Sequence, residues 1–154
     1  MLRDRPRLLV VDEDPARRIE LTATLSGTFD AWALPAEEDP LRTARNQRPD
    51  LVVVVFGGRR GEDGLRLIRA LRTDTRPIQR VAAIEVGARP RGAFVAMELW
   101  MADGWLALPN PPEAVEAFVG AVWRGERPKI PATNTPGKVR RLLKRFRSGP
   151  TSVS

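Results

Sequence analysis

The chain has 154 residues, 42% of them hydrophobic and 29% charged, which fits about one soluble globular domain long enough to bury a core. It has no cysteine and no histidine, which excludes disulfides and thiolate metal centres and removes the commonest acid–base group. Residues 1–125 carry 18 Arg and no Lys against 18 Asp plus Glu, whereas residues 126–154 carry 8 Lys plus Arg against 1 Glu, so the whole excess of +7 lies in the last segment. No apolar run approaches the roughly 18 residues that span a bilayer. Met1 to Arg7 form no apolar signal region. These features predict a cytoplasmic protein.

Arg7 to Asp12 is a short apolar run bounded by charge, as in a strand buried on both faces. Asp14-Pro15 is an N-cap followed by proline at the first helical position, and the helix runs to about Ser26, with Gly27 as the stop. Ala31 to Leu34 is a second strand. Asp39-Pro40 repeats the cap-and-proline signal and opens a helix to about Gln47. Asp50 to Phe56 is a valine-rich third strand. Asp63 to about Arg72 is a helix with Leu65, Ile68 and Leu71 on one face. A fourth strand covers Arg80 to Val86, an unusually apolar helix Ala93 to Met101, and a fifth strand Trp105 to Leu108. Asn110-Pro111-Pro112-Glu113 resembles a capping box and opens the last helix of the body, which buries Val115, Phe118, Val119 and Val122 and ends near Gly125. Residues 126–137 hold Pro128, Pro131 and Pro136 and form a linker. Residues 138–147 are a short helical candidate, and residues 148–154 read as disordered. Strands alternating with helices on short connections predict an α/β fold: a flavodoxin-like, doubly wound, five-stranded parallel sheet in the order 2-1-3-4-5, with helices on both faces and a basic amphipathic helix added after it.

Four pieces occur in a telling order. Leu8-Leu9-Val10-Val11-Asp12-Glu13-Asp14-Pro15 ends the first strand. Arg48-Pro49-Asp50-Leu51-Val52 leads the third. Glu62-Asp63-Gly64-Leu65 opens the third helix, and Ala102-Asp103-Gly104-Trp105-Leu106-Ala107-Leu108-Pro109 spans the fifth strand. Together, over residues 6–125, they resemble the receiver domain of bacterial response regulators. The resemblance implies that Asp12 and Glu13 match the acidic pair that binds Mg²⁺ in the family. It places the phosphoacceptor aspartate at Val55, counting from Asp50, or at Phe56, counting back from Asp63. The family's hydroxyl residue falls at Glu85 or Val86, and its lysine at Leu108. Trp105 falls at the aromatic switch position, and the Leu108–Pro109 bond is the one that is typically cis. Neither Val55 nor Phe56 can accept a phosphoryl group. The expectation is a non-enzymatic pseudo-receiver in bacterial signalling or spatial organisation. It needs no cofactor, no small-molecule substrate and no metal, with a partial metal site at Asp12 and Glu13 as the alternative. Arg59 or Arg60 is a candidate to fold over this acidic pair in place of the metal, since guanidinium pairs well with carboxylate. Gly57-Gly58-Arg59-Arg60-Gly61 lacks the Lys-Ser/Thr of a phosphate-binding loop, so no nucleotide is expected.

Two surfaces are candidates for partners. In receivers the face of the fourth helix, fifth strand and fifth helix mediates dimers and partner contacts. Here that region holds Trp100, Met101 and Trp105, near Phe94 and Met97. In the last segment Val139, Leu142, Leu143 and Phe146 fall at i, i+3, i+4 and i+7, while Lys138, Arg140, Arg141, Lys144, Arg145 and Arg147 take the other faces. About ten residues do not hold a helix alone in water. The pattern predicts folding on a protein partner or on the protein's own body. The alternative is binding to nucleic acid or an anionic membrane surface.

Overall fold

Two Asp-Pro steps start the first two helices. Asp14 accepts hydrogen bonds from the N–H groups of Ala16 and Arg17 at 3.0 and 3.2 Å, and Pro15 takes the first position of α1 (Pro15–Leu25). Asp39 accepts from Leu41 N–H at 3.0 Å ahead of α2 (Pro40–Gln47). The structure is a computed structural model and describes residues 5–35, 37–57 and 61–134. The further elements are β1 (Arg7–Val11), β2 (Asp30–Ala33), β3 (Leu51–Gly57), α3 (Gly61–Thr73), β4 (Arg80–Val86), β5 (Gly104–Leu108), α5 (Pro112–Trp123) and β6 (Lys129–Ile130). Between β4 and β5, α4 begins as an α-helical turn at Gly92–Phe94 and continues as a π-helix over Val95–Leu99.

One parallel sheet runs in the order β2-β1-β3-β4-β5-β6, the flavodoxin-like order with an added edge. The sheet therefore has six strands, where five were expected. The extra strand comes from the segment read as linker. Trp105 N–H donates to Pro128 O at 2.9 Å, and Ile130 is buried in the core. Prolines on either side of a two-residue strand are tolerated because β6 is an edge, and its placement covers the otherwise bare edge of β5.

The valine run of β3 shows how the core is divided. Leu51, Val53 and Val55 face the layer of α1 and α5, with Leu21, Leu25, Phe118 and Val122. Val52, Val54 and Phe56 face the layer of α2, α3 and α4, with Leu65, Ile68 and Met97. Burial of each such side chain contributes about 1.5–3 kcal/mol, so an unbroken apolar strand is stable only between two layers. Two motif acids serve the frame. Asp50 accepts from Arg7 N–H at 2.8 Å, and Asp103 accepts from Val81 N–H at 2.8 Å while pairing with Arg72. The Leu108–Pro109 peptide bond is cis, as the resemblance implied. The predicted basic helix at residues 138–147 and the tail at 148–154 lie outside the described residues, as do Arg59 and Arg60.

Candidate functional site

In a doubly wound sheet the crevice forms at the C-terminal strand ends where strand order reverses, here between β1 and β3. A crevice of about 930 Å³ opens there and runs between α2 and α3. Asp12 and Arg17 stand at its inner end, and Leu41, Phe56 and Leu67 give it an apolar wall.

Asp12 sits one residue beyond β1, and α1 turns its first residues back over it. The Asp12 side chain is fully buried and is held by Arg17 in a two-point grip, with Nε donating to Oδ2 at 2.6 Å and Nη2 to Oδ1 at 2.8 Å. Asp14 N–H adds a third hydrogen bond to Oδ1 at 3.0 Å. The Asp12 hydrogen bond raises the Arg17 pKa above its ordinary value. Burial opposes the shift, and the charges of Asp12, Asp14 and Glu13 reinforce it. Arg18 donates from Nη1 to Asp12 O at 3.1 Å. Asp12 is thus met by Arg17 of the following helix α1, while Arg59 and Arg60, the candidates the sequence offered, lie outside the described residues. Glu13 lies exposed at the mouth. A divalent cation does not fit these residues: Asp12 is already engaged at both oxygens, and no group of three or more Asp or Glu suited to a metal occurs among the described residues.

The strand registers bring the other predicted residues to the same end of the sheet. Phe56 is level with Glu85, and Gly57 with Val86. Val86 is level in turn with Leu108. Val55 and Phe56 are both buried, on opposite faces of the sheet. Val86 and Leu108 are half-buried and pack against the α1–α5 layer.

Glu85 points to the other face and is fully buried, an unusual place for a carboxylate. Both of its oxygens are bonded. Trp105 Nε1 donates to Oε1 at 2.9 Å, and Arg89 Nε donates to Oε2 at 2.8 Å. The first turn of α4 lies directly over it. A Cβ on Gly92 would come within 2.1 Å of Glu85 Oε1, so any larger residue there would push the carboxylate from its place. Trp105 is only 9% exposed and belongs to the core, which removes it from the surface patch predicted for it. Trp100 is half-buried and Met97 buried. In this region the exposed large apolar residues are instead Phe94, Leu99 and Met101, at 40, 50 and 43%. Arg91 stacks over the Phe94 ring at 4.6 Å, and Met101 adopts φ +71°, the left-handed region that a bulky residue rarely enters.

The chain superimposes on the chemotaxis protein CheY4 of Vibrio cholerae with a TM-score of 0.66 at 18% identity, covering 77% of this chain and 98% of that one. It matches the signal receiver domain of a LuxO repressor protein from Vibrio parahaemolyticus with a TM-score of 0.56 at 17% identity, covering 97% and 98%. The fold is that of a response-regulator receiver domain. The receiver family is further supported by 38% identity over 128 residues to the transcriptional regulatory protein AfsQ1 of Streptomyces coelicolor, covering 79% of this chain. The chain spans about half of that relative's length, 53%. No family model matches the chain.

Sequence reasoning missed Arg17 and Arg89. Arg17 was within reach of it. A helix capped at Asp14 turns its third residue back toward the strand end that precedes it. Arg89 gave no such signal, because its role depends on the depth at which Glu85 is buried.

Proposed function

We propose that this receiver acts as a non-enzymatic signalling module that works without aspartyl phosphorylation and docks a protein partner through its α4 face. The observation that carries this reading is Glu85. A fully buried carboxylate, Glu85, stands at one of the two positions, Glu85 or Val86, where the family's hydroxyl residue falls, and it accepts a hydrogen bond from the Trp105 indole. A phosphoryl group introduced nearby would meet a buried negative charge, and like charges raise the cost of both. The valine and phenylalanine at the acceptor position and the Arg17 grip on Asp12 support the same reading. The docking surface is supported by Phe94, Leu99 and Met101, because a strained backbone at an exposed apolar residue tends to occur at functional positions.

The test is incubation with a small-molecule phosphodonor and Mg²⁺, followed by intact mass. The expected mass is unchanged. Hydroxylamine-sensitive phosphate on the protein overturns the reading. For docking, Leu99→Glu reduces capture of the partner found by pull-down from the native host, and unchanged capture removes the α4 face from the proposal. A second reading rests on the +7 excess of residues 126–154: the protein binds nucleic acid or an anionic membrane through its last segment. Truncation after Asn134 tests it, because that cut retains β6. Salt-sensitive binding to DNA or phosphatidylserine vesicles that the truncation abolishes favours this second reading.

A further inference from the structure

We propose that the basic segment 138–147 docks on its own molecule, in the crevice between α2 and α3. The crevice has an apolar wall, with Leu41 and Leu67 half-buried over the core beside Val54 and Phe56. Its two banks are acidic. Glu37, Glu38 and Asp39 are exposed at the start of α2, and Glu62 and Asp63 at the start of α3. Some of these carboxylates already serve local structure: Asp39 caps α2, Glu38 accepts from Thr43 Oγ1 at 3.0 Å, and Glu62 is 3.7 Å from Arg66. Arg66 and the exposed Arg42 are the basic residues on these two helices nearest the banks. The crevice is also lined by Asp12, Glu13, Arg17 and Arg18, so among the described residues seven carboxylates stand against four arginines and the rim is negative.

The chain delivers its basic segment to this side of the molecule. After β6 it climbs along β5, where Asn110 Nδ2 donates to Pro131 O at 3.0 Å and Thr133 N–H donates to Pro109 O at 2.7 Å. The described chain therefore leaves at the C-terminal end of β5, the end of the sheet at which the crevice opens. Neighbouring strands are about 4.8 Å apart, so β3 is about 10 Å and β2 about 20 Å from that exit. Residues 135–137 reach about 10 Å. Ten residues at helical rise then cover about 15 Å, more than the roughly 10 Å from β3 to β2, so the segment is long enough to cross the crevice. The stripe Val139, Leu142, Leu143 and Phe146 suits the apolar wall, and the six flanking cations suit the banks. Tethering makes the encounter intramolecular, so modest contacts are enough to fill the site.

The composition makes this testable on the full chain. Its lysines are Lys129 on β6, and Lys138 and Lys144 in the segment. Zero-length carbodiimide coupling is carried out on a mixture of isotopically light and heavy protein, and the products are mapped by mass spectrometry. The expected products join Lys138 or Lys144 to Glu37, Glu38, Asp39, Glu62 or Asp63 within one chain. Their yield falls as salt is raised toward about 1 M. Leu142→Asp lowers the yield about tenfold, the effect of losing one buried leucine. Four results overturn the proposal: mixed-isotope products at these carboxylates, lysine links confined to Glu98, Glu113 or Glu116, no product from Lys138 or Lys144, or a yield indifferent to Leu142→Asp. Loss of the intrachain product on adding phosphatidylserine vesicles or duplex DNA at about 0.15 M salt also overturns it, in favour of that partner.

Discussion

Replacing Arg17 with alanine removes the cation that faces Asp12 and leaves the carboxylate in place. In the parent, that carboxylate is fully buried and receives hydrogen bonds at 2.6 and 2.8 Å from the guanidinium and at 3.0 Å from Asp14 N–H. The variant keeps only the last. Stranding one member of a buried ion pair costs about 3–5 kcal/mol. The Arg17 side chain is 28% exposed, so water enters part of the space it vacates, and the cost falls to about 2–3 kcal/mol. For a domain of this size that lowers Tm by about 4–12 °C. Urea unfolding monitored by far-ultraviolet circular dichroism measures the free energy, and Asp12→Asn supplies the control. Asparagine carries no charge to strand, so Arg17→Ala in that background costs about 1 kcal/mol or less. A loss below about 0.5 kcal/mol in the parent, or an equal loss in both backgrounds, refutes the assignment of Arg17 as the cation that closes this end of the sheet.

Arg89→Ala removes the cation from Glu85, leaves the Trp105 indole bonded to it and destabilises by about 2 kcal/mol, reduced from the fully buried value because the Arg89 side chain is 47% exposed. In a Glu85→Leu background the same change is nearly neutral, and a double-mutant cycle reads the difference. Met101→Gly relieves the left-handed backbone at φ +71° and stabilises by about 1 kcal/mol in thermal unfolding, while removing part of the α4 patch and so weakening partner capture. On the outer side of the crevice, hydrogen bonds from Arg45 at 2.8 and 3.0 Å hold the Asp74 carboxyl below its ordinary pKa, reinforced by the Arg45 charge and a hydrogen bond from Thr75 and opposed by desolvation. Folding therefore weakens proton binding at Asp74, so its contribution is present above the ordinary aspartate value and is lost as pH falls through the lowered one. Asp74→Asn lowers Tm at neutral pH, and its curve of Tm against pH meets the parent's in acid.

The frame was legible because each of its elements carries a local signal. Asp14-Pro15 and Asp39-Pro40 name their helices, and a valine run such as β3 has no stable place except between two layers. β6 was not legible. Lys129 and Ile130 between prolines show no period, and they become a strand only because β5 offers them an edge and the core offers Ile130 a place. The π-helix of α4 was hidden for a similar reason. Trp100 N–H reaches Val95 O and Ala102 N–H reaches Ala96 O, choices made by packing and not by propensity. At the site, the sequence pointed to the right strand ends but did not single out Arg17, and its own candidates Arg59 and Arg60 lie outside the described residues. It gave Glu85 or Val86 as the hydroxyl position, but the bonds of Glu85 to Trp105 and Arg89 depend on a register and a burial depth that one sequence does not display.

These local closures bear on whether the site can switch at all. A two-state element needs alternatives separated by a few kcal/mol, so that a signal of ordinary size can move it. If Trp105 left its position, Glu85 Oε1 would lose its indole donor while remaining under Gly92, where the backbone leaves no room for a side chain to fill in. A buried charge that loses a hydrogen-bonding partner costs about 1–3 kcal/mol or more, in addition to the apolar area that a tryptophan exposes, which adds about 2 kcal/mol. At about 1.4 kcal/mol per factor of ten, the outward state falls below about 1% of molecules. Asp12 and Arg17 set a similar penalty against opening the other side. On the proposed function, with both sides of this end of the sheet held in one state, a signal passes through what binds to α4 or to the crevice, and the free energy of that contact sets its strength.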